Sequence, residues 1–310
     1  MLGTDQLTNW EDAAAFRLLD AVYEQGCRVL DTAHVYGDGA NERRVGRWLK
    51  ARGRREKMVI LAKGAHHNEQ RRRVTPADIT ADLSDSLARF QTEQLDLYLL
   101  HRDDPRQPVG PIVECLHEHA EAGRIGAYGG SNWTTARLQE ANDYAAANGL
   151  RPFVAGSPNF SLAEQFAEPW PGCVSLSGDG RARDLAWYRD SGVALFAWSS
   201  LAGGFFSGRV DVADAKKRPA ATADGEEGWR ERCLRVYGHE RNWRRQARAR
   251  ELAAAKGLSL AQVALAYVLS QEGAVFPLVG CQSGAEFAEC VAALAVKLTA
   301  AEVKWLEEGE

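Results

Sequence analysis

Asp31, Tyr36, Lys63 and His101 are residue types that, brought together, can pass a proton to a carbonyl oxygen. A phenol with a pKa near ~10 is a weak acid at neutral pH, and a nearby ammonium favours its ionised form. A unit charge ~4 Å away at an effective dielectric of ~20 is worth roughly 4 kcal/mol, or about three pKa units. Lys63 supplies such a charge, Asp31 can hold the lysine charged and oriented, and Tyr36 then becomes a matched proton donor. His101 can hydrogen-bond the same oxygen and orient the substrate. Each residue taken singly has a plainer role: a solvated rim lysine, a satisfied histidine, an aspartate capping a turn. Together, at successive strand ends, they point to chemistry.

The elements that position them read as short apolar runs alternating with amphipathic helices. Strands are expected at 1–4 (MLGT), 28–33, 57–63, 95–101, 125–131, 152–157, 193–198 and 275–280. Each run is apolar on both faces, as a parallel strand covered by helices would be. Thr75-Pro76 reads as an N-cap with proline at the first helical position, followed by the stripe Ile79, Leu83 and Leu87. Thr299 with Glu302 reads as a capping box, and Gly26 and Gly149 sit where helices should stop. No G-x-G-x-x-G follows the early strands, which favours a closed barrel over an open dinucleotide-binding sheet. In a parallel barrel the chemistry gathers at the C-terminal strand ends, where Asp31, Lys63, His101 and Ser131-Asn132 all fall.

A chain of 310 residues suits one such barrel, since these often run to about 250 residues as a unit. The composition, 45% hydrophobic and 26% charged, is ordinary for a globular protein. A net charge of −4 with one short basic run, Arg71 to Arg73, argues against a nucleic-acid partner. No apolar run reaches membrane-spanning length, and no metal-ligand spacing is present. Six cysteines without C-x-x-C spacing suit a reducing, cytoplasmic setting. One long connection, 199–240, breaks the pattern of short loops and reads as a functional, mobile segment that nucleotide would order.

At the level of whole motifs the chain resembles the aldo-keto reductases. GCRVLDTAHVYGDGANERRVG (26–46) resembles the first signature of that family almost throughout, and LAK (61–63), DLYLLHRDDP (96–105) and GGSNW (129–133) resemble its next markers. FAWSSLAGGFFSGR (196–209) and residues 258–290 extend the match over essentially the whole chain. The resemblance implies a single α/β domain over 1–310, a (β/α)8 TIM barrel, with a cofactor-covering loop at 199–240. It implies reversible carbonyl reduction, with Tyr36 as acid/base, Lys63 and Asp31 tuning it, and His101 orienting the carbonyl.

The same resemblance implies NADP(H) or NAD(H) extended across the strand ends. Trp198 matches the position that stacks on the nicotinamide, Ser131 and Asn132 those that hold its carboxamide, and Thr4 and Ser157 join this end of the site. Ser199, Leu201, Gly203 and Arg209 match the pyrophosphate loop, and Gly280, Gln282, Glu286 and Glu289 the adenosine end. Three departures stand out: the hairpin that usually plugs the barrel floor is expected to be missing, Ser157 replaces a usual glutamine, and Cys290 a usual asparagine. Family habit favours NADPH, but CQSGAEFAEC (281–290) has no basic residue, and Glu286 would repel a 2′-phosphate while accepting a bond from a 2′-hydroxyl. His34, Trp133, Phe160, Trp170 and Trp229 are candidate substrate residues, suited to an aromatic aldehyde or a sugar-derived carbonyl. Two other readings remain open from the sequence: a barrel aldolase using Lys63 as a Schiff-base nucleophile, and a nucleotide-binding regulatory module of the same fold.

Overall fold

The computed structural model describes residues 1–213 and 227–309. Eight parallel strands lie side by side in chain order: β1 (Leu2–Gly3), β2 (Val29–Asp31), β3 (Val59–Gly64), β4 (Leu95–Leu100), β5 (Ile125–Ser131), β6 (Ala155–Ser157), β7 (Ala194–Ala197) and β8 (Val275–Pro277). Residues just beyond β8 return to β1. Leu2 bridges Val279 in parallel, Gly3 N–H donates to the Val279 carbonyl at 2.9 Å, and Val279 N–H donates to the Met1 carbonyl at 3.2 Å. The sheet therefore closes, as the missing dinucleotide fingerprint led us to expect. The expected runs are found, several of them shorter at the ends.

Helices clothe the outside: α1 (Asp12–Glu24), α2 (Ala40–Arg52), α3 (Pro76–Phe90), α4 (Val109–Glu121), α5 (Thr135–Asn148), α6 (Arg181–Ser191), α7 (Trp229–Tyr237), α8 (Glu240–Lys256), α9 (Leu260–Leu269), α10 (Gly284–Ala292) and α11 (Ala300–Glu308). Their limits follow local chemistry. Thr75 accepts the Asp78 N–H at 3.3 Å and Pro76 opens α3. Thr299 and Glu302 form the reciprocal capping box of α11, and Gly149, left-handed at φ +67, stops α5. A second capping box, Ser259 with Gln262, opens α9 and escaped the sequence reading. The connection 199–240 is not structureless, because α7 lies within it; residues 214–226, where the expected mobility chiefly falls, lie outside the described residues. Among the described residues no single helix is long and apolar enough to cross a membrane.

Two apolar layers result from the period-two alternation of a strand. Ile60, Ala62, Tyr98 and Leu100 face the helices and join the outer core. Leu61, Leu97, Leu99, Ala155, Phe196 and Leu278 form a separate inner cluster. This inner phase positions the site, because two residues further along the same strands stand Lys63, His101, Ser157 and Trp198. The barrel interior thus changes from hydrocarbon to polar groups within one pleat repeat at its C-terminal mouth.

Candidate active site

Lys63 and Asp31 form a buried ion pair, with their side chains 3% and 5% exposed. The lysine also donates to the Thr32 carbonyl at 3.3 Å. Burial raises the Asp31 pKa, and the lysine charge and hydrogen bond oppose that rise. Lys63 Nζ lies 5.6 Å from the centroid of the Tyr36 ring, and the Tyr36 and His101 rings meet edge-on at 5.8 Å and 82°. The four residues anticipated from the sequence are therefore brought together. The Tyr36 hydroxyl has no hydrogen-bond partner among the described residues.

The electrostatics correct one expectation. Lys63 was expected to lower the Tyr36 pKa, yet the phenol is pushed well above its ordinary value, chiefly by burial and then by the Asp31 and Asp5 carboxylates. The reason is pairing: an ammonium bonded to a carboxylate presents little net charge to its neighbour, while desolvation still penalises the phenolate. Tyr36 therefore keeps its proton at neutral pH. His101 is pushed the other way, far below its usual range, by burial and then by the charges of Lys63 and Arg102. It is a neutral imidazole, and its buried Nδ1 has no hydrogen-bond partner among the described residues.

Behind these groups a polar chain links β4 to β7. Asn132 Nδ2 donates to the His101 carbonyl at 3.2 Å, Asn132 Oδ1 accepts from Val174 N–H at 3.2 Å, Ser131 Oγ donates to the Ser157 carbonyl at 3.0 Å, and Ser157 Oγ donates to the Phe196 carbonyl at 2.8 Å. The run YGGS of β5 owes its glycines to close approach: a Cβ on Gly129 would stand 2.0 Å from the Ala155 carbonyl oxygen, and one on Gly130 2.5 Å from the Trp133 ring. Three non-glycine residues within two places of a strand's C-terminal end adopt left-handed backbone, Ala65 (φ +58), Asn132 (φ +56) and Ser199 (φ +52). Such strain persists where surrounding structure imposes it, commonly at functional sites.

At the far end of the rim, Trp198 leaves its buried Nε1 unpartnered. Leu201 and Gly203 lie in the turns after β7, where the Gly203 carbonyl accepts from Trp229 Nε1 at 2.8 Å. Arg209 pairs with Glu286, whose other oxygen accepts the Gln282 N–H at 2.9 Å. Gly280 and Glu289 are exposed nearby. Thr4 is buried under Asp31, donating to its carbonyl at 3.0 Å.

The aromatic substrate candidates divide. Trp170 is 46% exposed on the rim, near the Arg232 guanidinium at 5.0 Å. Trp133 is sealed, donating to the Arg102 carbonyl at 3.2 Å and packing on Phe153, and Phe160 is sealed against Tyr267. His34 points outward to α3, 3.2 Å from Asp85. These three, and Trp229 pinning α7 to the β7 turn, serve the scaffold as placed. Glu42 also turns to α3, accepting from Ser86 at 2.7 Å and Arg89 at 2.9 Å. The sequence reading missed His66, His67 and Arg102, which gather beside His101; His66 lies 4.8 Å from the His101 ring. The signal was present in two doublets, His66-His67 after β3 and His101-Arg102 after β4.

The model of the aldo/keto reductase family matches residues 1–309. The uncharacterized oxidoreductase YrpG of Bacillus subtilis is 27% identical over 300 residues, covering 93% of this chain and 84% of its own. The aryl-alcohol dehydrogenase [NADP(+)] of Phanerodontia chrysosporium is 27% identical over 313 residues, covering 95% of this chain and 75% of its own. In three dimensions, the aldo-keto reductase of Klebsiella pneumoniae solved with NADPH superimposes with a TM-score of 0.70 at 24% identity, over 99% of this chain and 88% of that one. With the family matched from end to end on a closed eight-stranded barrel, this chain belongs to the aldo/keto reductase family and is an NAD(P)-dependent oxidoreductase acting on carbonyl and alcohol groups.

Proposed function

We propose that the protein interconverts an aldehyde or ketone and its alcohol with Tyr36 as the proton donor. The observation that carries this reading is the convergence, at one barrel mouth, of a protonated Tyr36, the buried Asp31–Lys63 pair and a neutral His101. His101 can hold the carbonyl oxygen without competing for its charge, and Tyr36 delivers the proton to that oxygen. The Asp31–Lys63 pair fixes the floor beneath the phenol. The ion pair weighs against the aldolase reading, because a Schiff base needs an unprotonated, accessible amine.

The residues present fit a nicotinamide dinucleotide along the rim. Trp198, an aromatic face with an unpartnered Nε1, suits a ring stacked at the β7 end, beside Ser131, Asn132, Ser157 and Thr4. Ser199, Leu201, Gly203 and Arg209 suit the pyrophosphate, and Gly280, Gln282, Glu286 and Glu289 the adenosine. When bound, the cofactor supplies or accepts the hydride. With no basic residue in 281–290 and Glu286 already engaged, NADH is used at least comparably with NADPH. A carbonyl with an aromatic or sugar-derived body suits the exposed Trp170 on the rim.

Tyr36→Phe tests the proposal. Turnover should fall by about 10²–10⁴-fold while nucleotide binding is retained, because that is the usual worth of general acid help. Near-normal carbonyl reduction by the variant would remove Tyr36 from the mechanism.

A further inference from the structure

Four arginines are buried among the described residues: Arg44, Arg102, Arg137 and Arg245. Arg44 and Arg137 each meet a carboxylate, Asp12 and Asp103, and Arg245 donates to two backbone carbonyls. Arg102 is the most buried at 5% exposure, yet among the described residues its guanidinium makes one hydrogen bond, from Nη1 to the His101 carbonyl at 3.0 Å, and no ion pair. Its Nε and Nη2 have no acceptor among the described residues and, unlike the orphaned His67 Nε2, are not sealed from solvent. The carboxylates next to it in sequence are committed elsewhere, Asp103 to Arg137 and Asp104 to Arg106 and Arg72.

The guanidinium belongs to the catalytic mouth. Its charge bears on Tyr36, His66, His67 and His101, drawing the phenol down and helping to depress all three imidazoles. His67 falls to about 4, chiefly by burial and then by Arg72, His66 and Arg102. The arginine is buried as a residue, yet two of its N–H groups stay open and without an acceptor among the described residues, a donor pair placed to meet an anion. The fork of N–H groups suits a planar carboxylate or a phosphate, held by two parallel charge-assisted bonds.

We propose that Arg102 anchors an anionic group of the substrate, so that the preferred carbonyl compounds carry a carboxylate or phosphate ester. This rests on the carbonyl-reductase reading above and narrows its substrate class. The anchor sits one residue from His101, so the anion and the reacting carbonyl are gripped from the same strand end. Arg102 is a specificity residue in this arrangement; the proton chemistry stays with Tyr36.

Matched pairs of aldehydes test it: 4-formylbenzoate against its methyl ester, and glyceraldehyde 3-phosphate against glyceraldehyde. The wild type should prefer the charged member of at least one pair in kcat/KM, and which pair it is separates carboxylate from phosphate recognition. Arg102→Met should reduce that preference by about 10–100-fold, the range for lost charge-assisted bonds, and Arg102→Lys should restore part of it. The ratio within a pair cancels any loss of folding or of nucleotide affinity common to both substrates. Equal kcat/KM for both members in the wild type, or an unchanged ratio in Arg102→Met, overturns the proposal. If no aldehyde is turned over, the carbonyl-reductase reading fails instead. Calorimetric titration of the nucleotide-bound protein with 4-(hydroxymethyl)benzoate and its methyl ester then still decides. Tighter binding of the acid, abolished in Arg102→Met, supports the anchor, and equal binding of acid and ester refutes it.

Discussion

At the β2–β4 end of the rim, Lys63 and Asp31 are 3% and 5% exposed, whereas Arg209 and Glu286, joined across the proposed adenosine end, are 50% and 33% exposed. Both are cation–carboxylate pairs, yet their physics differs. The first is walled by the barrel and set by strand register, because Lys63 continues the inward phase of Leu61. The second joins a turn to a helix start, in water, and its partners can part when a ligand arrives. The comparison separates a site that is built on folding from one that is free to be completed on binding.

The largest expected difference lies in breaking the two pairs. Lys63→Met strands a buried carboxylate and should cost about 3–5 kcal/mol in denaturant unfolding, with turnover falling by orders of magnitude. Arg209→Met breaks a half-exposed pair and should cost about 1 kcal/mol or less. Similar losses from the two variants would show that burial does not distinguish them.

The buried pair also makes a pH prediction. In the proposed mechanism Tyr36 acts protonated in reduction, so activity should be lost as pH rises through its pKa, which burial and the Asp31 carboxylate hold high. Asp31→Asn removes the carboxylate and leaves Lys63 unpaired. Both changes favour the phenolate, so the alkaline limb of the pH profile should move to lower pH. An unmoved limb, or one displaced upward, would mean that Asp31 does not act on the phenol.

At the exposed pair the effect is smaller. Glu286→Arg should shift the kcat/KM preference towards NADPH by roughly 1–3 kcal/mol if the new guanidinium meets the 2′-phosphate. The variant also frees Arg209 from its partner. A wild type favouring NADPH a hundredfold, or a variant with an unaltered ratio, would show that residues 281–290 do not govern the choice.

Legibility in the sequence followed the same division. Asp31, Lys63, His101 and Ser131 could be read because strand ends are marked by apolar runs, and a strand end fixes where a side chain emerges. Tyr36 could be read because it trails β2 within a dense motif. The direction of its pKa could not, since that depends on whether Lys63 spends its charge on Asp31, a matter of side-chain placement. Trp133 and Phe160 read as rim aromatics because they follow strands, but a residue two or three places past a strand can turn inward beneath the loop. Both do so, against Phe153 and Tyr267. Arg102 was passed over because Asp103 and Asp104 beside it make the segment look internally neutral. Only the fold shows that Arg137, Arg106 and Arg72 have claimed those carboxylates.

All six cysteines are free thiols, and Cys290 alone is not buried. Its Sγ lies 4.0 Å from that of Cys281, and that contact draws the Cys290 pKa down. Of the six thiols, the one that is not buried should react first with an alkylating dye. Cys290 therefore gives α10, where the adenosine is proposed to lie, a built-in chemical handle at which a fluorophore should attach without engineering. Its labelling rate should fall when either nucleotide is bound, and an unchanged rate would mean that the nucleotide does not cover α10. Followed over a titration, that rate becomes an optical readout of cofactor arrival in the unmutated protein, independent of any substrate.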